Sequence, residues 1–194
     1  MISLNWVKDY IDIENEDLNE LAVKITKAGV NVEKVISKRI NNLVIGKVIS
    51  CEMHPDSDHL HICMVDTGSE TLQIVCGAPN VREGLKVIVA LPGAILPGNF
   101  EIKKGTIRGV ESNGMLCALF ELGVEEKTDE NYAKGIHEVE DNVKVGTDAN
   151  IYLGTDDTNY ELDVHKHRNN DCYYHIGFAY EIASILNKKV TLPN

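Results

Sequence analysis

Between residues 44 and 116 the sequence alternates short apolar segments with turn-forming residues, and no other feature limits the fold as much. The segments are rich in Val, Ile, Leu and Thr, and each is followed by residues that favour turns. We predict strands at residues 44–52, 60–66, 72–76, 86–91 and 106–116. Five short strands without a long helix between them favour a closed or nearly closed barrel over a two-sheet sandwich, which usually has about seven strands. The pattern favours an OB-fold barrel, and an SH3-like barrel remains an alternative.

The N-terminal end of the chain predicts part of a second body. Residues 4–11 and 18–28 place apolar side chains at helical spacing, with Asn15 expected to cap the second helix and Gly29 to end it. A strand-like run follows at residues 32–36. This amount of chain buries too little apolar surface to fold alone.

The C-terminal stretch supplies the complementary elements. Residues 160–164 have the pattern of a strand, and apolar residues return at helical spacing between residues 176 and 186. We therefore expect residues 1–40 and 153–194 to form one discontinuous α+β domain, with the barrel at residues 41–152 inserted in its middle.

Composition is typical of a soluble, cytoplasmic protein. The 194 residues are 43% apolar, which is enough for a substantial core. No run approaches the roughly 18 apolar residues that span a bilayer, and no secretory leader precedes the first helix. The five cysteines mostly lie inside apolar segments, which indicates buried reduced thiols rather than a disulfide framework; they are Cys51, Cys63, Cys76, Cys117 and Cys172.

The net charge of −11 argues at first against a polyanionic partner, but the negative charge is local. Residues 111–157 carry 12 acidic and 3 basic residues, whereas residues 41–110 carry 7 acidic and 6 basic residues. Lys103, Lys104 and Arg108 stand close together in the second of these regions. A basic face on the barrel and an ordinary mixed surface are equally compatible with these charges.

Two groups of histidines and cysteines invite comparison with metal sites. The first is His54, His59, His61 and Cys63, and the second lies within residues 165–175. Structural zinc sites usually draw their ligands from two separated close pairs, which neither group has. We therefore expect ordinary histidines and no metal site. Because no nucleophile and base stand in a recognised motif, we also predict no catalytic residue in this chain.

Three longer motifs occur in one order along the barrel region. They are HPDSDHL at residues 54–60, IVCGAPNVREG at residues 74–84 and RGVESNGMLC at residues 108–117. Together they closely resemble the tRNA-binding OB domain of the bacterial phenylalanyl-tRNA synthetase β subunit, a domain that is also appended to several other synthetases and tRNA-aminoacylation factors. The opening MISLNWVKDY and the helix that follows Ile176 and Gly177 are similar to that β subunit in particular.

The resemblance covers nearly the whole chain and departs from the family in two places. The family usually has a Thr-Pro-Asn-Arg-like segment followed by Asp two residues later. This chain has VHKHRNND at residues 164–171, without the proline and with one residue more. The family's β subunit also continues through several further domains, including an editing domain. The chain therefore matches either the N-terminal region of such a subunit or a free-standing relative.

The resemblance implies both a fold and a function. The fold is α+β, with a five-stranded OB-fold β-barrel inserted into a small discontinuous winged-helix-like domain. The function is that of a non-catalytic module that holds tRNA while the rest of the synthetase performs ATP-dependent attachment of phenylalanine. ATP and magnesium would serve the whole enzyme, with no cofactor in this chain. The partners would be tRNA and the synthetase α subunit in a heterotetramer, with neither DNA nor a membrane involved.

We expect RNA contacts along the last strand and the loop at residues 92–101, where OB folds commonly take up ligands. The candidate contact residues are Asn80, Arg82, Lys103, Lys104 and Arg108, followed by Ser112, Asn113 and Met115. Phe100 and Phe120 are the only aromatic residues between positions 41 and 131, which predicts weak base stacking and weak affinity. The −11 charge favours a rival hypothesis, a protein-interaction scaffold for assembly, and a free-standing tRNA-binding protein without a synthetase role is a further alternative.

Overall fold

The computed structural model describes residues 1–192 and divides the chain into two compact units. One unit combines Met1–Arg39 with the chain from Asp156 onward, and the other is Ile40–Thr155. The last two residues of the predicted segment 153–194 lie outside the described residues. Among the helices of residues 1–192, none combines the length and the apolar character that a membrane span requires.

The secondary structure is mainly short strands. In chain order the elements are β1 (Ile2–Ser3), α1 (Leu4–Lys8), α2 (Leu18–Ala28), β2 (Asn31–Ser37), β3 (Leu43–Met53), β4 (His61–Asp66), β5 (Thr71–Cys76), β6 (Lys86–Ala90), β7 (Ile95–Leu96), β8 (Phe100–Glu101), β9 (Gly105–Ile107), β10 (Val110–Ser112), β11 (Met115–Leu116), α3 (Asp129–Lys134), α4 (Ala149–Leu153), β12 (Thr158–Asp163), α5 (Asn169–Cys172) and α6 (His175–Leu186). A 3₁₀ turn at Lys166–Arg168 precedes α5.

The discontinuous unit has an antiparallel sheet in the order β1-β12-β2, so one strand from the C-terminal segment pairs with two from the N-terminal segment. Its core joins the same two segments. The rings of Tyr160 and Phe178 pack edge to face, with centroids 6.3 Å apart, and the Tyr160 hydroxyl donates to the Leu18 carbonyl oxygen. Ile25 of α2 and Ile182 of α6 belong to the same buried cluster.

The cap of α2 differs from the prediction. The capping residue is Asp17 and not Asn15, because Asp17 immediately precedes the helix and its carboxylate accepts the free N–H groups of Asn19 and Glu20 at 2.8 and 2.9 Å. The helix ends at Gly29, as predicted, with a φ of 113° that favours glycine.

The second unit is a nearly closed antiparallel barrel of five strands in the order β11-β6-β3-β4-β5. The long strand β3 pairs first with β6 and then with β4, so it bends between two partners. Gly46 precedes Lys47, the residue that pairs with both neighbouring strands, and a Cβ on Gly46 would stand 2.6 Å from Val89 Cγ2. The Asn113 N–H donates to the Gln73 carbonyl oxygen at 2.8 Å and links β5 to the segment before β11.

The first four predicted barrel strands are confirmed, with ends within one residue of those of β3, β4, β5 and β6. The fifth, at residues 106–116, is wrong as a single strand. Arg108 and Gly109 have φ values of 48° and 85°, which reverse the chain, so β9 and β10 form a hairpin before the separate strand β11. Only the last of these three pieces joins the barrel sheet.

One buried amide ties the two ends of the barrel unit together. Asn150 is 1% exposed, and its side-chain oxygen accepts the Ile40 N–H at 2.9 Å while its side-chain nitrogen donates to the Ile40 carbonyl oxygen at 2.8 Å. The first residue of this unit is thereby fixed against the helix α4 that closes it.

Candidate functional site

A groove of about 860 Å³ runs along one side of the barrel. Its lining comes from the end of β5 and the turn that follows, from β8 to β11, and from α3. The wall is largely apolar, and Ile107 and Met115 contribute to it. The groove includes the last barrel strand, where we expected a ligand from the sequence.

Three aromatic side chains line this groove. Phe100 is 58% exposed and Tyr132 is 65% exposed, whereas Phe120 is half-buried. The rings of Phe120 and Tyr132 have centroids 6.1 Å apart, and the Lys127 amine lies 5.9 and 5.7 Å from them. Exposed ring faces of this kind can stack on the bases of an unpaired nucleic acid strand.

Tyr132 was missed in the sequence because it lies outside every strand pattern. A local signal was present: Thr128 accepts the Asn131 N–H at 3.2 Å as the cap of α3, and Asp129 and Glu130 fill its first turn. That signature predicts a short helix, and the helix carries Tyr132.

Two adjacent lysines, Lys103 and Lys104, lie in or next to the groove lining. Lys103 is part of the lining and forms an ion pair of 2.9 Å with Glu101, which raises the pKa of the lysine. Lys104 is exposed and makes no hydrogen bond or ion pair within residues 1–192. Of these two lysines, Lys104 is directly available to an anionic ligand, whereas Lys103 would have to exchange Glu101 for that ligand.

Arg108 lies at the tip of the β9–β10 hairpin and not in the groove lining. Its guanidinium donates to the Asp56 carbonyl oxygen at 2.8 Å. The neighbouring His54 is buried, and its ring accepts the Asp56 N–H at 3.0 Å and lies 3.3 Å from the Ile107 carbonyl oxygen. The HPDSDHL segment is thus held against the hairpin, and Arg108 contributes to that contact.

Asn80 and Arg82 also lie outside the groove lining, and both are held by the segment after α3. The Asn80 side chain donates to the Ile136 carbonyl oxygen at 2.8 Å and accepts the Ile136 N–H at 3.0 Å. Arg82 forms a two-point ion pair with Glu138, and this contact lowers the pKa of Glu138 to about 2. Asn80 and Arg82 therefore do not share the groove lining with Lys103.

The remaining three candidates have different surroundings. Ser112 is 5% exposed, and its hydroxyl accepts the Val75 N–H at 3.1 Å. Asn113 donates to the Glu111 carboxylate at 3.2 Å and does not line the groove. Met115 is half-buried in the groove wall. Of the eight residues, the groove lining brings together Lys103, Ser112 and Met115.

Glu121 is a further acidic residue of the groove, and it was not among the contact residues expected from the sequence. One of its carboxylate oxygens accepts the Ala118 N–H at 2.8 Å. Burial raises the pKa of Glu121, and the hydrogen bond from the Ala118 N–H and the charge of Lys127 partly offset that increase. The side chain is half-buried in the lining.

The two histidine and cysteine groups do not assemble into a metal site in the part of the chain that the structure describes. No group of three or more His, Cys, Asp or Glu side chains in that part is arranged to hold a metal ion. All five cysteines are free, and Cys51 and Cys63 face each other across β3 and β4 with sulfur atoms 3.8 Å apart.

Comparison with known proteins shows the family to which the chain belongs. A family model described as "Putative tRNA binding domain" matches residues 43–148. The chain is 46% identical over 198 residues to the phenylalanine-tRNA ligase beta subunit of Oceanobacillus iheyensis and 47% identical over 196 residues to that of Bacillus subtilis. These matches cover 100% and 99% of this chain and 24% of each relative, so the chain spans about a quarter of their length.

Among solved structures, a MetRS related protein from Pyrococcus horikoshii is 26% identical over 54% of this chain and 84% of that chain. Its TM-score of 0.39 is too low for a comparison of the two folds. The family assignment rests on the family match and on the two relatives, and not on this solved structure. The chain belongs to the tRNA-binding domain family, and along its whole length it corresponds to the N-terminal part of the phenylalanine-tRNA ligase beta subunit.

Proposed function

We propose that the barrel binds tRNA through the groove, as part of a phenylalanine-tRNA ligase β subunit. The observation that carries this proposal is the presence of Phe100, Phe120 and Tyr132 in the same groove as Lys103. Stacking of a base on an aromatic ring contributes about 1–3 kcal/mol and does not depend strongly on sequence, while lysines contact the phosphates. The match to the tRNA-binding family supports the same function.

In our proposal, the charges near the groove determine which side of the RNA strand carries its phosphates. Lys103 and Lys104 lie at the start of the β9–β10 hairpin, whereas α3 begins with Asp129 and Glu130. Phosphates are repelled by the acidic helix and attracted by the lysines. In our proposal the backbone of the strand follows the lysines, and its bases turn towards the aromatic side chains.

Two finer features of the fold belong to the proposal. Around the barrel the strands follow in the order β3, β4, β5, β11, β6 and back to β3. This order supports an OB fold, which is a five-stranded and partly open Greek-key barrel. We assign the discontinuous unit to a winged-helix-like domain, since its helices pack with a small antiparallel sheet. The barrel would then be an insertion between the halves of that domain.

The remaining partners are those of the whole ligase. We place the chain in a cytoplasmic assembly with the synthetase α subunit, where it holds tRNA during phenylalanine attachment. ATP and magnesium belong to the activity of that assembly. Within residues 1–192 no group of three or more His, Cys, Asp or Glu side chains is arranged to hold a metal ion, and no step of the proposal runs through one.

A tRNA titration at two salt concentrations tests this function. Replacing both Lys103 and Lys104 with Ala should weaken binding and reduce the salt dependence by roughly one unit of slope for each phosphate that is no longer neutralised. The matched control replaces Lys24 and Lys27, which are exposed on α2 in the other unit, and removes the same charge. Arg108→Ala is measured separately because Arg108 also holds Asp56.

The outcome separates the groove from a general charge effect. Equal losses of affinity in the two double variants would show that net charge alone matters, and the groove would have to be abandoned. Binding that does not respond to salt, or no binding of tRNA at all, would contradict the proposed function and would favour an assembly scaffold.

A further inference from the structure

Glu121 differs from the other acidic residue of the groove lining. Glu101 is neutralised by Lys103 at 2.9 Å, whereas Glu121 makes no ion pair within the described residues. Its oxygen Oε2 accepts the Ala118 N–H, and the described part of the chain offers no donor to Oε1. A carboxylate in this state still has lone pairs available for a ligand in the groove.

The surroundings of Glu121 are those of a site for a flat aromatic ligand. Phe120 is its neighbour in sequence, Tyr132 lies against Phe120, and all three side chains line the same groove. Burial already raises the pKa of Glu121, so this carboxylate is poorly solvated and gains from a ligand that donates hydrogen bonds to it. The Lys127 amine lies 5.9 and 5.7 Å from the centroids of the Phe120 and Tyr132 rings, so the same part of the groove also holds a positive charge.

We propose that this part of the groove is a guanine-selective base pocket, with Glu121 as the residue that determines specificity. The proposal rests on the proposed function, and the ligand is an unpaired guanine of the bound tRNA. Guanine presents the N1–H and N2–H donors side by side, and a carboxylate can accept both. Adenine presents an acceptor at N1, and uracil flanks its single N–H with two carbonyl oxygens. These bases would place acceptors against the carboxylate.

Mononucleotides give a direct test of the pocket. The protein is titrated with GMP, IMP and AMP, and binding is followed through the backbone amide signals of residues in the groove. GMP should bind about tenfold more tightly than IMP, which lacks the N2 donor, because a hydrogen bond to a charged group is missing. AMP should bind more weakly than either.

The variant Glu121→Gln removes the charge and keeps a side-chain oxygen that can accept the Ala118 N–H. Its amide N–H₂ would meet the donors of guanine, so the preference for GMP over AMP should disappear or reverse. The matched control is Glu126→Gln, an exposed neighbour outside the groove lining, which should keep the preference. Amide spectra of both variants without ligand show whether the barrel is intact.

The results separate this inference from the function on which it rests. Equal binding of GMP and AMP, or a preference that survives in Glu121→Gln, overturns the guanine pocket. If tRNA binds and weakens when Lys103 and Lys104 are replaced, while no mononucleotide binds, the pocket is wrong and the proposed function stands. If tRNA fails to bind while Glu121 controls a preference for GMP, the pocket is supported and tRNA as its source of guanine is overturned.

Discussion

Arg82 and Glu138 form a two-point ion pair in which both nitrogen-to-oxygen distances are 2.7 Å. The same guanidinium donates to the Asn80 carbonyl oxygen at 3.2 Å. An RNA phosphate would therefore have to displace Glu138 before it could use Arg82. This geometry favours a structural role for Arg82, in which it fastens the segment after α3 to the turn after β5.

Removing this pair should affect stability more than RNA binding. We expect Arg82→Ala to lower the urea concentration at the unfolding midpoint slightly, because both partners are largely exposed. We expect it to change tRNA affinity less than the replacement of Lys103 and Lys104 does. The double variant with Glu138→Gln should be no less stable than Arg82→Ala alone, since the interaction is already absent. A larger loss of tRNA affinity in Arg82→Ala than in the double-lysine variant would restore Arg82 to the contact surface.

The same pair predicts a pH dependence. The pKa of Glu138 is held at about 2, below the ordinary value of 4.5, so the folded protein binds fewer protons than the unfolded chain between these values. The stabilisation is complete above about pH 4.5 and is lost as the pH falls towards 2. Stability curves across this range should be flatter in Arg82→Ala than in the unchanged protein. Identical slopes would show that the pair does not set the pKa.

Asn80→Ala should destabilise the barrel unit by about 2 kcal/mol, because it leaves the N–H and carbonyl oxygen of Ile136 without their partner. Denaturant unfolding followed by circular dichroism measures the change. Asn41→Ala is the control, since Asn41 is exposed and should cost less than about 0.5 kcal/mol. Equal effects of the two substitutions would show that the hydrogen bonds between Asn80 and Ile136 do not stabilise the barrel unit.

The five cysteines should differ in their reaction with a thiol reagent. In the native protein at pH 8 we expect Cys51, which is half-buried, to react first. Burial raises the pKa of the other four thiols, to about 11 for two of them, and leaves little thiolate; they are Cys63, Cys76, Cys117 and Cys172. Mass spectrometry after limited labelling gives the order, and unfolded protein should label at all five positions. Fast labelling of all the buried thiols in the native state would show that the packing is looser than described.

Trp6 provides a probe of the discontinuous unit. Its ring lies 4.9 Å from that of His175, which accepts the Ser3 N–H at 3.1 Å. Burial lowers the pKa of His175 from 6.5, so the folded unit binds fewer protons and loses stability as the pH falls below about 6.5. Unfolding followed by tryptophan fluorescence should show this slope, and His175→Gln should remove it. A slope that persists in the variant must come from another group.

The parts of this fold that could be predicted from the sequence are those set by neighbouring residues. The barrel strands follow from alternating apolar side chains, and the end of α2 follows from Gly29. The hairpin tip at Arg108 could not be predicted in the same way. A positive φ costs energy for arginine, and it is imposed here by the pairing of β9 with β10.

The candidate site was harder to predict because its partners are distant along the chain. Arg82 is 56 positions from Glu138, and nothing near Arg82 in the sequence shows that its charge is already paired. Lys104 has the same residue chemistry as Lys103, yet only Lys103 has an anion beside it in the structure. Basic residues can be counted in a sequence, but their availability depends on tertiary contacts.

The double hydrogen bond between Asn150 and Ile40 has a consequence for the history of this barrel. A unit whose first and last parts are fastened by one side chain presents neighbouring attachment points, and a host protein can accept it in a surface turn with little entropic cost of loop closure. Such a unit can be inserted as a whole domain into another protein. Its insertion into another protein would need a surface turn that accepts two neighbouring attachment points, which the hydrogen bonds between Asn150 and Ile40 provide.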